Sequence, residues 1–407
     1  MKMRNTIRTL CIGNSNSDGQ SWFRFANNDK LLFFIVSLFL FLIQRLVLLV
    51  ASANVPGPRS IGSVVIQHFI QWDSGYYISI AAHGYTTDQL YAFFPLYPAL
   101  IRLVHDVTWL NYDMSSLIIS SIALITGLYL LGLTIAIHFE RRVAIGSMII
   151  LSLFPTSLFF AAAYTESLFF ALAIGAIYSS SKGRFWWAGV LAALATLTRN
   201  TGVLLNIILL FDYMRNIGIP IAFWKVQWWK KIDKRLGHLF VAPAALLGYC
   251  VWLKSSSGQY LAFLGAEKFW DRHFMPIWDT YYHTIVYVFH APPWGEGVVL
   301  PEFFGITLTF LAIISGAFYI RNSSTQLGWW LYLVCTVWIS ATEPSRWPVV
   351  GWDYLYSFPR FILMMFPAFP YLAARLTRWW LYIPVVLLCS WQLYIFGQMF
   401  FEGRWVA

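Results

Sequence analysis

Residues 186–211 read WWAGVLAALATLTRNTGVLLNIILLF, and the way this stretch divides sets the topology of the whole chain. It is either one long apolar helix or two short ones hinged at Thr198-Arg199-Asn200-Thr201-Gly202. Hydropathy does not separate the two readings, but charge does. With a hinge and an inside N-terminus, 18 of the 28 Lys and Arg residues fall on the inside and 9 on the outside, with Arg45 inside the first helix. One unbroken helix would move the six basic residues from Arg215 to Arg235 outside, against the positive-inside rule. The hinged pair is therefore expected.

The surrounding sequence is that of a membrane protein. Hydrophobic residues make up 59% and charged residues 11%, and mean hydropathy is +0.62, far from soluble usage. Apolar segments run from Leu31 to Ala53, Ser116 to His138, Val143 to Ala161, Glu166 to Ser181, Trp186 to Leu197 and Gly202 to Phe211. They continue from His238 to Leu253, Phe303 to Ile320, Leu327 to Ile339, Phe361 to Ala374 and Trp380 to Met399. This pattern predicts an all-α, polytopic membrane protein with about eleven transmembrane helices. A cytoplasmic segment, 1–30, precedes a single transmembrane domain, 31–407. The first apolar stretch lacks an A-x-A cleavage site and reads as a retained anchor. Paired tryptophans at segment ends, such as Trp228-Trp229, Trp329-Trp330 and Trp379-Trp380, suit a membrane interface.

Net charge of +10 does not indicate nucleic acid, because the basic residues sit in short connections and form no groove with interleaved aromatics. Cys11, Cys250, Cys335 and Cys389 have no metal or redox spacing, and His68, His83, His283 and His290 lack partners at ligand spacing. No metal site and no cofactor is expected. Thirteen of the acidic residues fall outside, so carboxylate chemistry belongs on that face. Two long outside loops, Asn54 to Ser115 and Lys254 to Glu302, are rich in apolar and aromatic residues and should fold onto the membrane surface.

Asp73 is the best base candidate. It lies in Gln71-Trp72-Asp73-Ser74-Gly75-Tyr76-Tyr77, a carboxylate among aromatic rings at a membrane surface, where partial desolvation strengthens a base. It reads equally as the cap of a helix beginning at Ser74. Asp88 shares the work of the base, hydrogen-bonds a substrate hydroxyl, or is a solvated loop carboxylate. Glu166 either joins the site or caps its helix. Trp72, Tyr76, Tyr97 and Tyr164 suit stacking on or hydrogen-bonding a substrate and also interfacial packing. Arg199 and Arg360 fall at outer helix ends, either gripping a lipid phosphate or snorkelling to headgroups.

Several ordered motifs resemble one family. They are Trp72-Asp73, Ile80-Ala81, Gly84-Tyr85 and Phe93-Phe94-Pro95-Leu96-Tyr97-Pro98, then Phe154-Pro155-Thr156-Ser157 and Tyr164-Thr165-Glu166-Ser167-Leu168-Phe169. Leu197-Thr198-Arg199-Asn200-Thr201-Gly202 and Ser357-Phe358-Pro359-Arg360-Phe361 follow. The string resembles the PIG-V type of GPI mannosyltransferase, which adds the second mannose of the GPI anchor, and its bacterial relatives. The likeness is strong in the first half of the chain and looser between Lys225 and Trp352.

The resemblance implies a GT-C-like fold and an acidic residue in the first outside loop, where Trp72-Asp73 stands. It implies a membrane glycosyltransferase that moves a hexose, mannose in the family, from a polyprenyl-phosphate sugar to a non-cytoplasmic acceptor hydroxyl with inversion at C1. Asp73 would be the base; Arg199, Arg360, Glu166 and Tyr164 would hold the donor; Trp72, Asp88 and Tyr97 would meet substrate. The expected partners are that donor, an acceptor glycan, lipid or protein, and the bilayer, with no nucleic acid. The membrane would be the plasma membrane in a bacterium and the endoplasmic reticulum in a eukaryote. The rival functions are a secondary transporter or lipid flippase and a catalytically silent scaffold. A transporter should show related halves and midplane charges, and no repeat is visible.

Overall fold

The computed structural model describes residues 27–55, 66–219, 230–290, 299–320, 323–347 and 351–406. The expected N-terminal segment lies, up to residue 26, outside the described residues. The described chain is almost wholly helical, because apolar backbone in a bilayer has no other local way to satisfy its N–H and C=O groups. The main helices are α1 (Asn27–Ala53), α2 (Asp73–His83), α3 (Leu96–Thr108), α4 (Tyr112–His138), α5 (Arg141–Ser152), α6 (Glu166–Ser181), α7 (Phe185–Thr198) and α8 (Leu205–Asn216). They are followed by α9 (Val241–Ser257), α10 (Ile277–His290), α11 (Val299–Ala317), α12 (Ser324–Ser340) and α13 (Trp379–Phe401).

Four helical stretches are long and apolar enough to cross a membrane: Asn28–Ala53, Tyr112–His138, Lys234–Ser257 and Trp379–Phe401. α6, α7 and the part of α11 from Gly305 are apolar but shorter. In the core α4 packs on α6, α6 on α7, α7 on α9, and α8 on α12, while α1 lies against α4 and α13. Buried Asp212 ties three of these together at the end of the bundle away from the long loops. Its carboxylate accepts from Ser180 Oγ of α6 at 2.5 Å and Thr325 Oγ1 of α12 at 2.8 Å.

The expected hinge is present. α7 stops at Thr198, a 3₁₀ turn covers Asn200–Leu204, and α8 starts at Leu205. Gly202 allows the reversal, since a Cβ there would stand 2.4 Å from the Thr196 backbone nitrogen.

Two apolar segments expected as single helices are broken instead. The stretch from Val143 to Ala161 leaves α5 at Ser152 and continues as a 3₁₀ helix, Pro155–Phe160. Proline lacks the N–H that an α-helix needs there. The carbonyls released by the break are satisfied by Gln44 of α1, whose Nε2 donates to Ser152 O at 3.1 Å and Ser157 O at 3.0 Å. The stretch from Phe361 to Ala374, interrupted by Pro367 and Pro370, becomes short turns at Phe358–Phe361, Ile362–Met364 and Ala368–Ala373. Thr156 Oγ1 donates to Pro359 O at 2.7 Å and joins the two irregular segments.

Both long loops carry structure. The first holds α2 and α3; the second holds a short helix, Ala262–Ala266, a 3₁₀ turn, Glu267–Trp270, and α10. Backbone bonds sew the second loop to the chain after α12, from His273 N to Pro344 O and from Met275 N to Thr342 O, each 3.0 Å. A two-stranded antiparallel ribbon follows, β1 (Ser345–Trp347) with β2 (Gly351–Asp353), pairing Arg346 with Trp352. Trp270 lies edge-on to Phe93 and Tyr76 of the first loop, so the two loops meet above the helices.

Candidate active site

Below that junction is a cavity of about 140 Å³. Its walls include Asp73, Tyr77, the hinge Thr198-Arg199-Asn200-Thr201, Glu267, Trp270, Arg272, Glu343, Tyr356 and Arg360. Residues from opposite ends of the sequence thus share one chamber.

An alternating chain of charges runs through one wall, with Glu166 in the layer behind it. Arg360 Nη1 donates to Asp73 Oδ2 at 2.7 Å, and Arg360 Nε lies 3.2 Å from Glu166 Oε1. Arg199 Nη1 donates to the same Glu166 oxygen at 2.8 Å and to Thr165 Oγ1 at 3.0 Å. Two acids and two arginines, 287 residues apart at the extremes, neutralise one another. All four are largely buried, with side-chain exposures of 15% for Asp73 and Arg199, 8% for Arg360 and 0% for Glu166. A buried charge persists only when paired in this way.

The local backbone explains the aim of these side chains. Asp73 opens α2, but Trp72 in the cap position makes no side-chain cap bond, and the Asp73 carboxylate goes to Arg360. The capping alternative is therefore set aside. Trp72 has φ of 51° and Ser357 has φ of 61°. This left-handed region is uncommon for residues other than glycine, and such strain of about 1–3 kcal/mol each tends to gather at functional sites. Tyr164, fully buried behind the wall, fixes the approach to Asp73: its hydroxyl accepts from the Asp73 N–H and donates to Gln71 O, both at 3.3 Å.

The opposite wall was not anticipated from the sequence. Arg272 Nε sits 3.0 Å from Glu267 Oε2 and its Nη1 donates to Glu343 at 3.2 Å. Burial pushes the Glu343 carboxyl above its ordinary range, opposed by Arg272 and reinforced by Glu267. Tyr356, whose phenol burial also pushes up, lies under the Arg272 guanidinium at 5.0 Å. Phe361 is approached by three guanidiniums, Arg199 at 5.1 Å, Arg360 at 5.4 Å and Arg272 at 6.0 Å. Three guanidiniums, each also paired with a carboxylate, thus converge on one ring.

The remaining expected site residues lie elsewhere. Glu166 and Tyr164 stand behind the cavity wall and touch it only through other residues. Tyr97 is fully buried, with its hydroxyl spent on Ser116 O at 3.1 Å and Ser120 Oγ at 2.9 Å. Asp88 is exposed at the start of a 3₁₀ turn and does not line the cavity. Trp72 is 47% exposed and packs edge-on against Trp405, a cavity residue, at 5.6 Å.

Residues 59–260 match the family described as mannosyltransferase (PIG-V). The chain is 28% identical to GPI alpha-1,6-mannosyltransferase 2 of Mus musculus over 46% of this chain and 41% of that protein. It is 25% identical to GPI mannosyltransferase 2 of Schizosaccharomyces pombe over 63% of this chain and 55% of that protein. The chain thus spans less than two thirds of the length of these relatives. In fold it is similar to ArnT from Cupriavidus metallidurans bound to undecaprenyl phosphate. The TM-score is 0.52 at 12% identity, over 93% of this chain and 77% of ArnT. The matched region contains Asp73, Glu166, Arg199 and the hinge, three of the four charges of the cavity wall among them. Residues 59–260 are thus similar to the PIG-V mannosyltransferase family, and the helical fold is similar to that of ArnT.

Proposed function

We propose that this protein is a membrane mannosyltransferase that moves mannose from a polyprenyl-phosphate donor to an acceptor hydroxyl on the non-cytoplasmic side, with inversion at C1. The observation that carries the reading is the contact between Asp73 and Arg360 on the cavity wall. It puts a base candidate and a phosphate-binding candidate on one wall of the cavity, joined by a hydrogen bond of 2.7 Å that substrate can open. Asp73 takes the proton of the acceptor O–H while that oxygen bonds to C1. The C1–O bond to phosphate breaks, and the polyprenyl phosphate leaves with the electron pair. Negative charge then grows on the phosphate beside Arg360 and Arg199, where preorganised donors stabilise it most. A guanidinium fork suits the task better than an ammonium.

Trp72 and Trp405 at the cavity edge suit stacking on a sugar, Tyr164 holds the Asp73 backbone, and Asp88 and Tyr97 do not line the cavity. A lipid carrier fits a site on the far side of the membrane, because nucleotide sugars are made in the cytosol. The likeness to PIG-V proteins supports mannose. The basic asymmetry supports about eleven passes, an inside N-terminus and an outside C-terminus, with the domain running over 31–407. The test is transfer of labelled mannose from dolichyl or undecaprenyl phosphate mannose by the purified chain in nanodiscs. Release of labelled mannoside from the carrier supports the reading. Exchange of intact donor across the membrane without bond cleavage refutes it in favour of transport.

A further inference from the structure

Glu166 is wholly buried and absent from the cavity lining, yet it contacts both arginines of the charged wall. We propose that Glu166 is a positioning residue that keeps Arg360 in place while the donor phosphate displaces Asp73 from it. This inference rests on the transferase reading above.

Without donor, the base and the phosphate clamp disarm each other. The Asp73 oxygen that accepts from Arg360 at 2.7 Å is occupied, and a guanidinium so engaged is a poor anion receptor. An arriving phosphate can take Nη1 from Asp73 and free the base in the same motion. That exchange needs a second anchor. If Asp73 held Arg360 alone, the arginine would either stay on the acid or follow the phosphate out of register.

Glu166 has the free capacity to be that anchor. Its Oε2 is buried with no hydrogen-bond partner, and Arg360 Nε, 3.2 Å from Oε1, is not aligned well enough to make a full bond. A small rotation of the guanidinium would close a two-point fork through Nε and Nη2 onto both Glu166 oxygens, leaving Nη1 for phosphate. Glu166 cannot yield in this exchange. Arg199 grips Oε1 at 2.8 Å from the other side, and Ser167, the next residue, is tied by its Oγ to Phe160 O at 2.7 Å. The arrangement also couples the two arginines, so that both meet the phosphate from one buried point.

The sign of one measurement separates this role from simple charge balance. Binding of dolichyl phosphate and of undecaprenyl phosphate is measured on the full chain in nanodiscs, with thermal unfolding as the check on folding. Glu166→Gln should weaken binding of the preferred lipid about tenfold or more, the order of one charge-assisted hydrogen bond, because Arg360 then collapses onto Asp73. Asp73→Asn should tighten binding by a similar factor, and adding it to Glu166→Gln should recover most of the loss. A carboxylate acting only through its charge predicts the opposite, tighter anion binding in Glu166→Gln. That result, or unchanged affinity, overturns the proposal. If Glu166→Gln does not fold, Glu166→Asp keeps the charge and withdraws it by one methylene. It too should lose affinity, and unaltered binding overturns the proposal equally. Wild-type protein that binds neither lipid refutes the lipid-phosphate donor itself and this inference with it, whereas wild-type binding with an indifferent Glu166→Gln refutes this inference alone.

Discussion

Replacing Arg360 tests the site most directly, because this residue touches both acids of the wall. Arg360→Ala removes a side chain that is 8% exposed and spans Asp73 at 2.7 Å and Glu166 at 3.2 Å. Glu166 keeps Arg199, but Asp73 loses its ion-pair partner on the wall. Breaking one side of a buried pair costs about 3–5 kcal/mol. Contacts of the guanidinium with the Tyr164, Phe361 and Phe159 rings at 5.4–5.7 Å add to the loss. Arg360→Lys retains the charge and most of the packing, so its stability cost should be far smaller.

For transfer the order is the same but the cause differs. A donor that meets charge developing in the transition state contributes about 2.7–4 kcal/mol, or 10²- to 10³-fold in kcat. Arg360→Lys should lose a substantial part of this, because an ammonium cannot hold an acid and a phosphate with one planar fork. Arg360→Ala should lose all of it. The assay is single-turnover transfer from labelled polyprenyl-phosphate mannose, at a temperature where each variant remains folded. Full turnover by a folded Arg360→Ala would refute the clamp, and full turnover by Arg360→Lys would refute the need for a fork.

Asp73→Asn should reduce transfer about 10²- to 10⁴-fold with the protein still inserted and folded, checked by the same assay and by thermal unfolding; near-normal turnover removes Asp73 from the mechanism. Gly202→Ala should prevent assembly of the hinge, since its Cβ would stand 2.4 Å from the Thr196 nitrogen; size-exclusion profiles identical to wild type would show that the turn can open. Labels at Lys230 should report the cytoplasm and labels at Asp88 and Lys268 the outside; an external Lys230 would cancel the hinge as a membrane re-entry. The outer pair Glu302 and Asp353 should make stability depend on pH. Burial pushes both carboxyls up, Asp353 to about 6 and Glu302 well above its ordinary value. The folded pair holds a proton that the unfolded chain releases near pH 4, so stability should fall as pH rises from about 4 through 6 and beyond. Glu302→Gln should flatten that fall; an unchanged slope of Tm against pH would show that the pair does not titrate in the folded protein.

What could be read from the sequence follows from how far each signal travels along the chain. The hinge was legible because its determinants are adjacent: Thr198 to Gly202 interrupt an apolar run, and the basic residues after it fix the direction of return. Asp73, Glu166, Arg199 and Arg360 stood out because each sits in a short string of unusual composition next to an apolar segment. Their mutual contacts were not legible, since no local pattern records that Phe358-Pro359-Arg360 crosses the Pro155–Phe160 turn and reaches α2. Prolines at 155, 367 and 370 signal breaks that a count of apolar residues hides, and both segments expected as single helices are divided there. Tyr97 misled for a related reason. Its ring belongs to an aromatic string that suits a sugar, yet its position on α3 turns it onto Ser120 of α4 and into the core. Arg272, Glu267 and Glu343 had no motif around them at all. They meet only because the His273 and Met275 amides bind the Pro344 and Thr342 carbonyls, a pairing across some 70 residues that folds the second loop over the cavity and supplies its opposite wall.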